Sequence, residues 1–326
     1  MQIATNETKT GRSFEPSTER YAKVIEVSRR VRWDIDRDVI RNRRFDFGKK
    51  FMPDGLSKIP ALTFLTPAEQ RYLSQIQGRT YANMFALVER FIGTKTAELS
   101  HTHALGDQVA FEALVRLTDE ELKHQELFRR LDRMAGEQMP AGYEFRPQPN
   151  EVAAAVLGKG TWAVMALTLD IEIFSQAHYR SSIDPDTELS ELWKDVFLFH
   201  WREESQHAIL DEMEWRREDA RLTEAERDRG VTELIELVGA VDHLVNVQAA
   251  ADADYFIATA GRAFDAAEQA AIRDVLLKAY RWQYIVSGAQ EPRFGEVLAD
   301  LVTPAQMERI GAALAPIVEH VARAAN

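Results

Sequence analysis

Two Glu/His sets recur in this chain of 326 residues with the same internal spacing. Glu89 is followed 32 positions later by Glu121-x-x-His124, and Glu172 is followed 32 positions later by Glu204-x-x-His207. Residues three apart on a helix share a face, so each Glu-x-x-His pair can grip one ion from a single helix. Four helices that each turn a Glu inward, two of them adding such a His, form the ligand set of a carboxylate-bridged two-metal centre. The equal spacing adds a geometric requirement that can be checked. Helix rise is constant at about 1.5 Å per residue, so residues placed symmetrically about a helical hairpin finish at the same height. The first midpoint is residue 105, beside the helix-stop pair Gly106-Asp107, and the second is residue 188, just after Ser181-Ser182-Ile183-Asp184-Pro185-Asp186. All six side chains are therefore expected to meet at one level.

A single Glu-x-x-His carries little weight, because about one such match arises by chance in a chain with eight histidines. Two matches, each with a Glu at the same upstream distance and a turn at the midpoint, are another matter. The flanks also argue against solvated faces. Glu89 follows Met84-Phe85-Ala86-Leu87-Val88 and precedes Phe91-Ile92, while Glu172 lies between Ile171 and Ile173. An unpaired carboxylate in such surroundings would be costly. The chain has no cysteine, so any metal must be held by oxygen and nitrogen. Four carboxylates supply the negative charge to balance two divalent cations, and imidazole adds terminal nitrogen ligands. Iron suits this donor set, and manganese fits it as well.

His200 breaks the symmetry of the two halves. It lies four residues before Glu204 and seven before His207, on the same helical face, whereas the matching position in the first half is Leu117. It is the candidate seventh ligand. Asp211, four residues after His207, is expected to orient a ligating histidine rather than bind metal. His101, His103, His178, His243 and His320 are read as structural or surface residues. Phe85, Phe91 and Trp162 are candidate pocket walls or plain core, and Arg90 and Arg202 are expected at the surface.

The rest of the chain reads as almost wholly helical. The fold expected is all-α: a ferritin-like four-helix bundle over about residues 66–218, with an N-terminal wrap over 20–65 and outer helices over 223–323, in one domain. Residues 1–20 are expected to be disordered, and residues 45–55 irregular. Bundle helices are expected from Thr66-Pro67, with Glu69 completing a capping box, to about residue 99, then over about 107–136, 151–180 and 188–218. The proline-rich stretch 137–150 supplies the long crossover that joins two antiparallel hairpins in such a bundle. Outer helices are expected over about 223–260, 264–288 and 304–323.

The pattern Glu89, Glu121-x-x-His124, Glu172, His200-x-x-x-Glu204-x-x-His207 resembles the para-aminobenzoate N-oxygenase family of di-iron proteins, over residues 66–218. The extra histidine, His200, carries that likeness. The resemblance implies seven metal ligands at these positions, two iron ions and molecular oxygen as co-substrate. It further implies a peroxo-bridged diferric intermediate that oxidises an aromatic amine. Two related patterns fit less well. Ribonucleotide reductase small subunits carry a tyrosine where this chain has Phe128. Acyl carrier protein desaturases share the doubled form, here Glu120-Glu121 and Glu203-Glu204, but lack a counterpart of His200. An iron-binding or ferroxidase protein without an organic substrate would use the same six ligands.

A formal charge of −12 argues against nucleic acid and anionic membrane as partners. The expected partners are a small-molecule substrate and an external electron donor or reductase, since no flavin- or nicotinamide-binding motif is present. Homodimer formation is compatible with the sequence. The polar N-terminus and the shortness of the longest apolar run, residues 162–169, point to a cytoplasmic location without a membrane span.

Overall fold

The computed structural model describes residues 16–323, which fold into twelve α-helices with no strand, only an isolated bridge between Lys50 and Leu189. In chain order these are α1 (Thr18–Val31), α2 (Asp54–Ser57), α3 (Pro67–His103), α4 (Gln108–Gly136), α5 (Pro149–Leu157) and α6 (Thr161–His178). They continue as α7 (Glu191–Asp219), α8 (Glu224–Thr259), α9 (Ala266–Arg281), α10 (Ser287–Ala289), α11 (Pro292–Leu301) and α12 (Pro304–Ala322). Short π-helical turns at Ile35–Ile40, Tyr179–Ile183 and Trp282–Val286 and a 3-10 turn at Ile59–Ala61 complete the helical set.

Four long helices frame the centre. α3 packs along α4 and α6 along α7, and the two pairs meet through α4 with α7 and α3 with α6. Local sequence sets their ends. At the start of α3 the Glu69 carboxylate accepts from the Thr66 amide at 2.7 Å, and the Thr66 hydroxyl accepts from the Glu69 amide at 3.3 Å. Thr223 and Glu226 repeat this box at α8. The Asp107 carboxylate accepts from the amides of Val109 and Ala110, which starts α4 immediately after the tight turn at residues 104–107. Two glutamines then tie the helices together at the level of the Glu/His sets. Gln125 Nε2 donates to the Glu89 carbonyl at 3.2 Å, and Gln176 Nε2 donates to the carbonyls of Glu172 and Glu204 at 3.0 and 3.3 Å.

Several expected boundaries shift. Residues 1–15, expected to be disordered, lie outside the described residues, but residues 18–20 begin α1, whose Tyr21, Val24, Ile25 and Ser28 form a buried i, i+3, i+4, i+7 stripe against α4 and α7. The third long helix begins at Thr161, not at 151. Gly158 and Gly160 break the run, and α5 occupies part of the crossover. The last expected outer helices gain a further member, α11, buried through Phe294, Val297, Leu298 and Leu301. α8 contains an 18-residue window of mean hydropathy 1.2, long and apolar enough to cross a membrane, with 28% of that window buried. Polar side chains interrupt this window and hide it from a search for unbroken apolar runs. One of them, Asp242, pairs with Arg281 at 2.7 Å, and Gln248 donates to Asp252 at 2.9 Å just beyond.

Candidate metal centre

The structure brings Glu89 from α3, Glu121 and His124 from α4, Glu172 from α6, and His200, Glu204 and His207 from α7 to one place, all of them buried. Their donor atoms form three overlapping groups: Glu89, His124, His200 and Glu204; Glu121, His124 and His207; and Glu172, Glu204 and His207, each within 4.8 Å. The two Glu-x-x-His carboxylates lie between the histidines. Glu121 sets one oxygen 2.9 Å from His207 Nδ1 and the other 3.7 Å from His124 Nδ1. Glu204 sets its oxygens 3.2 Å from His124 Nδ1 and 3.5 Å from His207 Nδ1. These two are placed to bridge. Glu172 approaches only the His207 side, at 4.0 Å, and Glu89 the His124 side, at 3.8 Å. His200 Nε2 joins that second side, 3.1 Å from Glu89 and 2.9 Å from Glu204. The centre is thus asymmetric, with the extra nitrogen on the Glu89 side.

Buried polar atoms are ordinarily satisfied. Here Glu89 Oε2, both oxygens of Glu121, His124 Nδ1, Glu172 Oε2, Glu204 Oε1 and His207 Nδ1 have no hydrogen-bond partner. Such a concentration of unpaired acceptors and like charges is what a pair of cations would satisfy, so the residues present fit a two-metal group.

The outward nitrogens of the two paired histidines are held across the helix pairs. His124 Nε2 on α4 donates to Glu203 on α7 at 2.9 Å, and His207 Nε2 on α7 donates to Glu120 on α4 at 2.9 Å. This fixes the tautomer that offers Nδ1 inward. Each carboxylate is braced in turn: Lys123 Nζ donates to Glu203 at 2.5 Å, and the Ser28 hydroxyl of α1 donates to Glu120 at 2.6 Å. Trp33 stacks on His124 at 5.8 Å between ring centres, and Lys123 Nζ lies 4.0 Å from the Trp33 ring centre. The N-terminal segment thereby closes the centre. Glu120, Glu203, Ser28, Lys123 and Trp33 are absent from the sequence-derived site. The doubled Glu-Glu before each x-x-His is a sequence signal for Glu120 and Glu203 alone; Ser28, Lys123 and Trp33 have none.

Electrostatics follow the same division. Burial alone would depress the His124 pKa, but Glu121, Glu203 and Glu204 outweigh it and lift it to about 9. His207 is likewise raised against burial by Glu204, Glu121 and Glu120. Without cations, protons on these two imidazoles therefore supply part of the balancing charge, and metal binding releases them. His200 behaves in the opposite way. Burial holds its pKa well below the usual range, within a box of Phe85, Phe128 and Phe197 at 5.2, 5.0 and 6.2 Å. A neutral imidazole is the ligating form.

The remaining candidates separate clearly. Asp211 is buried nearby with Oδ2 unpaired, while the outward nitrogens of His124 and His207 go to Glu203 and Glu120 instead. Phe85 and Phe91 border a small apolar cavity, whereas Trp162 packs on Trp215 and donates to Asp219 at 2.9 Å. Arg90 and Arg202 are exposed. His178 bridges Tyr81 and Ser287, His103 meets Glu214, and His320 meets Asp274. His101 and His243 are exposed. The chain matches no protein-family model and no curated protein.

Proposed function

We propose that this chain is a ferritin-like di-iron oxygenase that uses molecular oxygen to oxidise a small molecule, an aromatic amine being the substrate class implied by the resemblance. One observation carries the reading. Seven buried donor side chains converge, and six of them have inward atoms that no protein group satisfies. Two iron ions bound there would supply the oxygen-activating redox chemistry, with manganese the other metal that suits the donors.

The chain's own residues have separable tasks. Glu121 and Glu204, which lie between the histidines, would hold both metal ions. Glu89, His124 and His200 would serve one of them, and Glu172 and His207 the other. Glu203 and Glu120 orient the two histidines and keep their outward nitrogens protonated. Phe85, Phe128 and Phe197 exclude water from the His200 side. Each amine-to-hydroxylamine turnover takes one O2, two electrons and two protons, places one oxygen atom on nitrogen and releases one water. The electrons come from an external reductase-class donor. The proposal extends to a cytoplasmic location and a homodimer.

A second reading, oxidation of a hydrocarbon chain as in acyl desaturases, is favoured by the apolar lining of the cavity beside Phe85. To test the function, ferrous-loaded protein is exposed to oxygen with and without arylamines or acyl substrates, while absorbance and product are followed. Oxygen-dependent conversion of an added amine is expected. Uptake of many iron atoms per chain without organic product would replace the oxygenase reading by iron handling.

A further inference from the structure

An apolar cavity in two lobes runs from the C-terminal helices toward the metal centre. The outer lobe, about 160 Å³, lies among α6, α8, α11 and α12, and the inner lobe, about 50 Å³, among α3, α5, α6 and α8. Leu167, Val241 and Tyr284 border both lobes, so the two meet there. The inner lobe reaches Phe85, whose ring stands edge-on to His200 at 5.2 Å. One ring separates the cavity from the candidate ligands.

Two features mark the cavity as a binding site. Gly295, half-buried, borders the outer lobe from inside α11, and a Cβ added there meets nothing within 4 Å. Glycine is disfavoured inside a helix, and no close helix approach requires this one. It keeps the lobe open. In addition, the Tyr284 hydroxyl at the junction has no hydrogen-bond partner although the residue is only 8% exposed, and Asp170 Oδ1 in the outer lobe is also unpaired.

We propose that this cavity binds a hydrocarbon chain bearing one neutral hydrogen-bonding group, a hydroxyl or primary amide, at the lobe junction. Size selects a chain. A closed apolar cavity of about 150 Å³ accommodates a benzene ring, so the outer lobe could hold a ring, but the inner lobe is about a third of that size and admits only a slender chain end. The polar pair selects the head. A hydroxyl or amide both donates and accepts, so it can satisfy Tyr284 and Asp170 together. A carboxylate or ammonium would bring a full charge into an apolar lining, at a desolvation cost that a neutral head avoids. Binding of this ligand does not rest on the reading above; if the bound chain were also the molecule oxidised, it would replace the aromatic amine as the substrate of the proposed oxygenase.

The test uses the full chain, metal-free and iron-loaded, titrated calorimetrically with 1-decanol, decanamide, decanoate and 4-aminobenzoate. Decanol and decanamide are expected to bind once per chain in both forms, and decanoate and 4-aminobenzoate at least tenfold more weakly. Gly295→Leu should fill the outer lobe and abolish decanol binding while leaving the helical circular dichroism and metal uptake unchanged. Tyr284→Phe should weaken decanol about two- to twelvefold, the range of one hydrogen bond. Absence of decanol binding, or wild-type affinity in Gly295→Leu, would overturn the inference. Chain binding without oxygen chemistry would leave it standing and sink the oxygenase reading; oxygen chemistry without chain binding would do the reverse.

Discussion

Replacing Glu203 by Gln should separate the two metal positions. His124 offers Nδ1 to the centre and donates its Nε2 proton to Glu203 at 2.9 Å, with neither side chain exposed to solvent. A hydrogen bond to a charged group is worth about 1.5–3 kcal/mol, and the absence of solvent screening places this one toward the upper end. Losing the outward partner of a ligating histidine costs about 10- to 100-fold in metal affinity, which corresponds to about 1.4–2.8 kcal/mol, so the two estimates agree. Glu203→Gln is therefore expected to weaken one metal by that factor and leave the other within about threefold. Glu120→Gln should do the same to the opposite position through His207. Lys123→Met is a milder control, because its ammonium reaches Glu203 from a side chain that is 19% exposed. Chelator-competition titrations with metal analysis at each step read both affinities separately. Equal weakening of both metals by Glu203→Gln, or no weakening of either, would refute this division of the ligands.

Three further substitutions probe other parts of the structure. His200→Ala should leave two metals bound but change the absorbance and rate of the oxygen reaction; an unchanged spectrum and rate would remove His200 from the ligand set. Gly93→Val should reduce metal uptake and cost about 1–3 kcal/mol, because a Cβ at Gly93 already meets the Glu121 Cβ at 3.2 Å and a branched side chain must push that ligand away; wild-type uptake would contradict this. His178 is buried between Tyr81 and Ser287, and burial lowers its pKa to about 3. A base with a depressed folded pKa loses stability as pH falls below its unfolded value of about 6.5, by at most about 1.4 kcal/mol per pH unit. His178→Gln should remove that contribution, so the stability difference from wild type should change steadily between about pH 6.5 and 3 in metal-free denaturant titrations. A difference independent of pH would show that His178 is not held neutral.

The convergence of the candidate ligands was legible because helical spacing and side-chain chemistry are both local properties. Glu89, Glu121, Glu172 and Glu204 could be placed at one height from chain positions alone, and Thr66 and Thr223 announced their helix starts through capping boxes. What stayed hidden depends on packing between helices. Glu120 and Glu203 each sit one residue from a ligand, and only the crossing of α4 and α7 reveals that each serves the histidine of the opposite helix. Asp211 shares a helical face with His207, which suggested a contact that the cross-helix partners supply instead. α1 escaped notice because its buried stripe is short and set among charged residues, yet through Ser28 it reaches Glu120. Gly158 and Gly160 split the third expected helix, a break that its apolar periodicity did not display.

The central claim is most directly tested by metal stoichiometry on well-folded chain, loaded anaerobically with ferrous iron, desalted and assayed for iron and protein. Two ions per chain are expected in the wild type, falling in Glu121→Ala and Glu204→Ala, which remove the two carboxylates that lie between the histidines. Fewer than two ions in a well-folded wild-type sample, or two ions retained at unchanged affinity after both glutamates are removed, would contradict a two-metal centre at these residues.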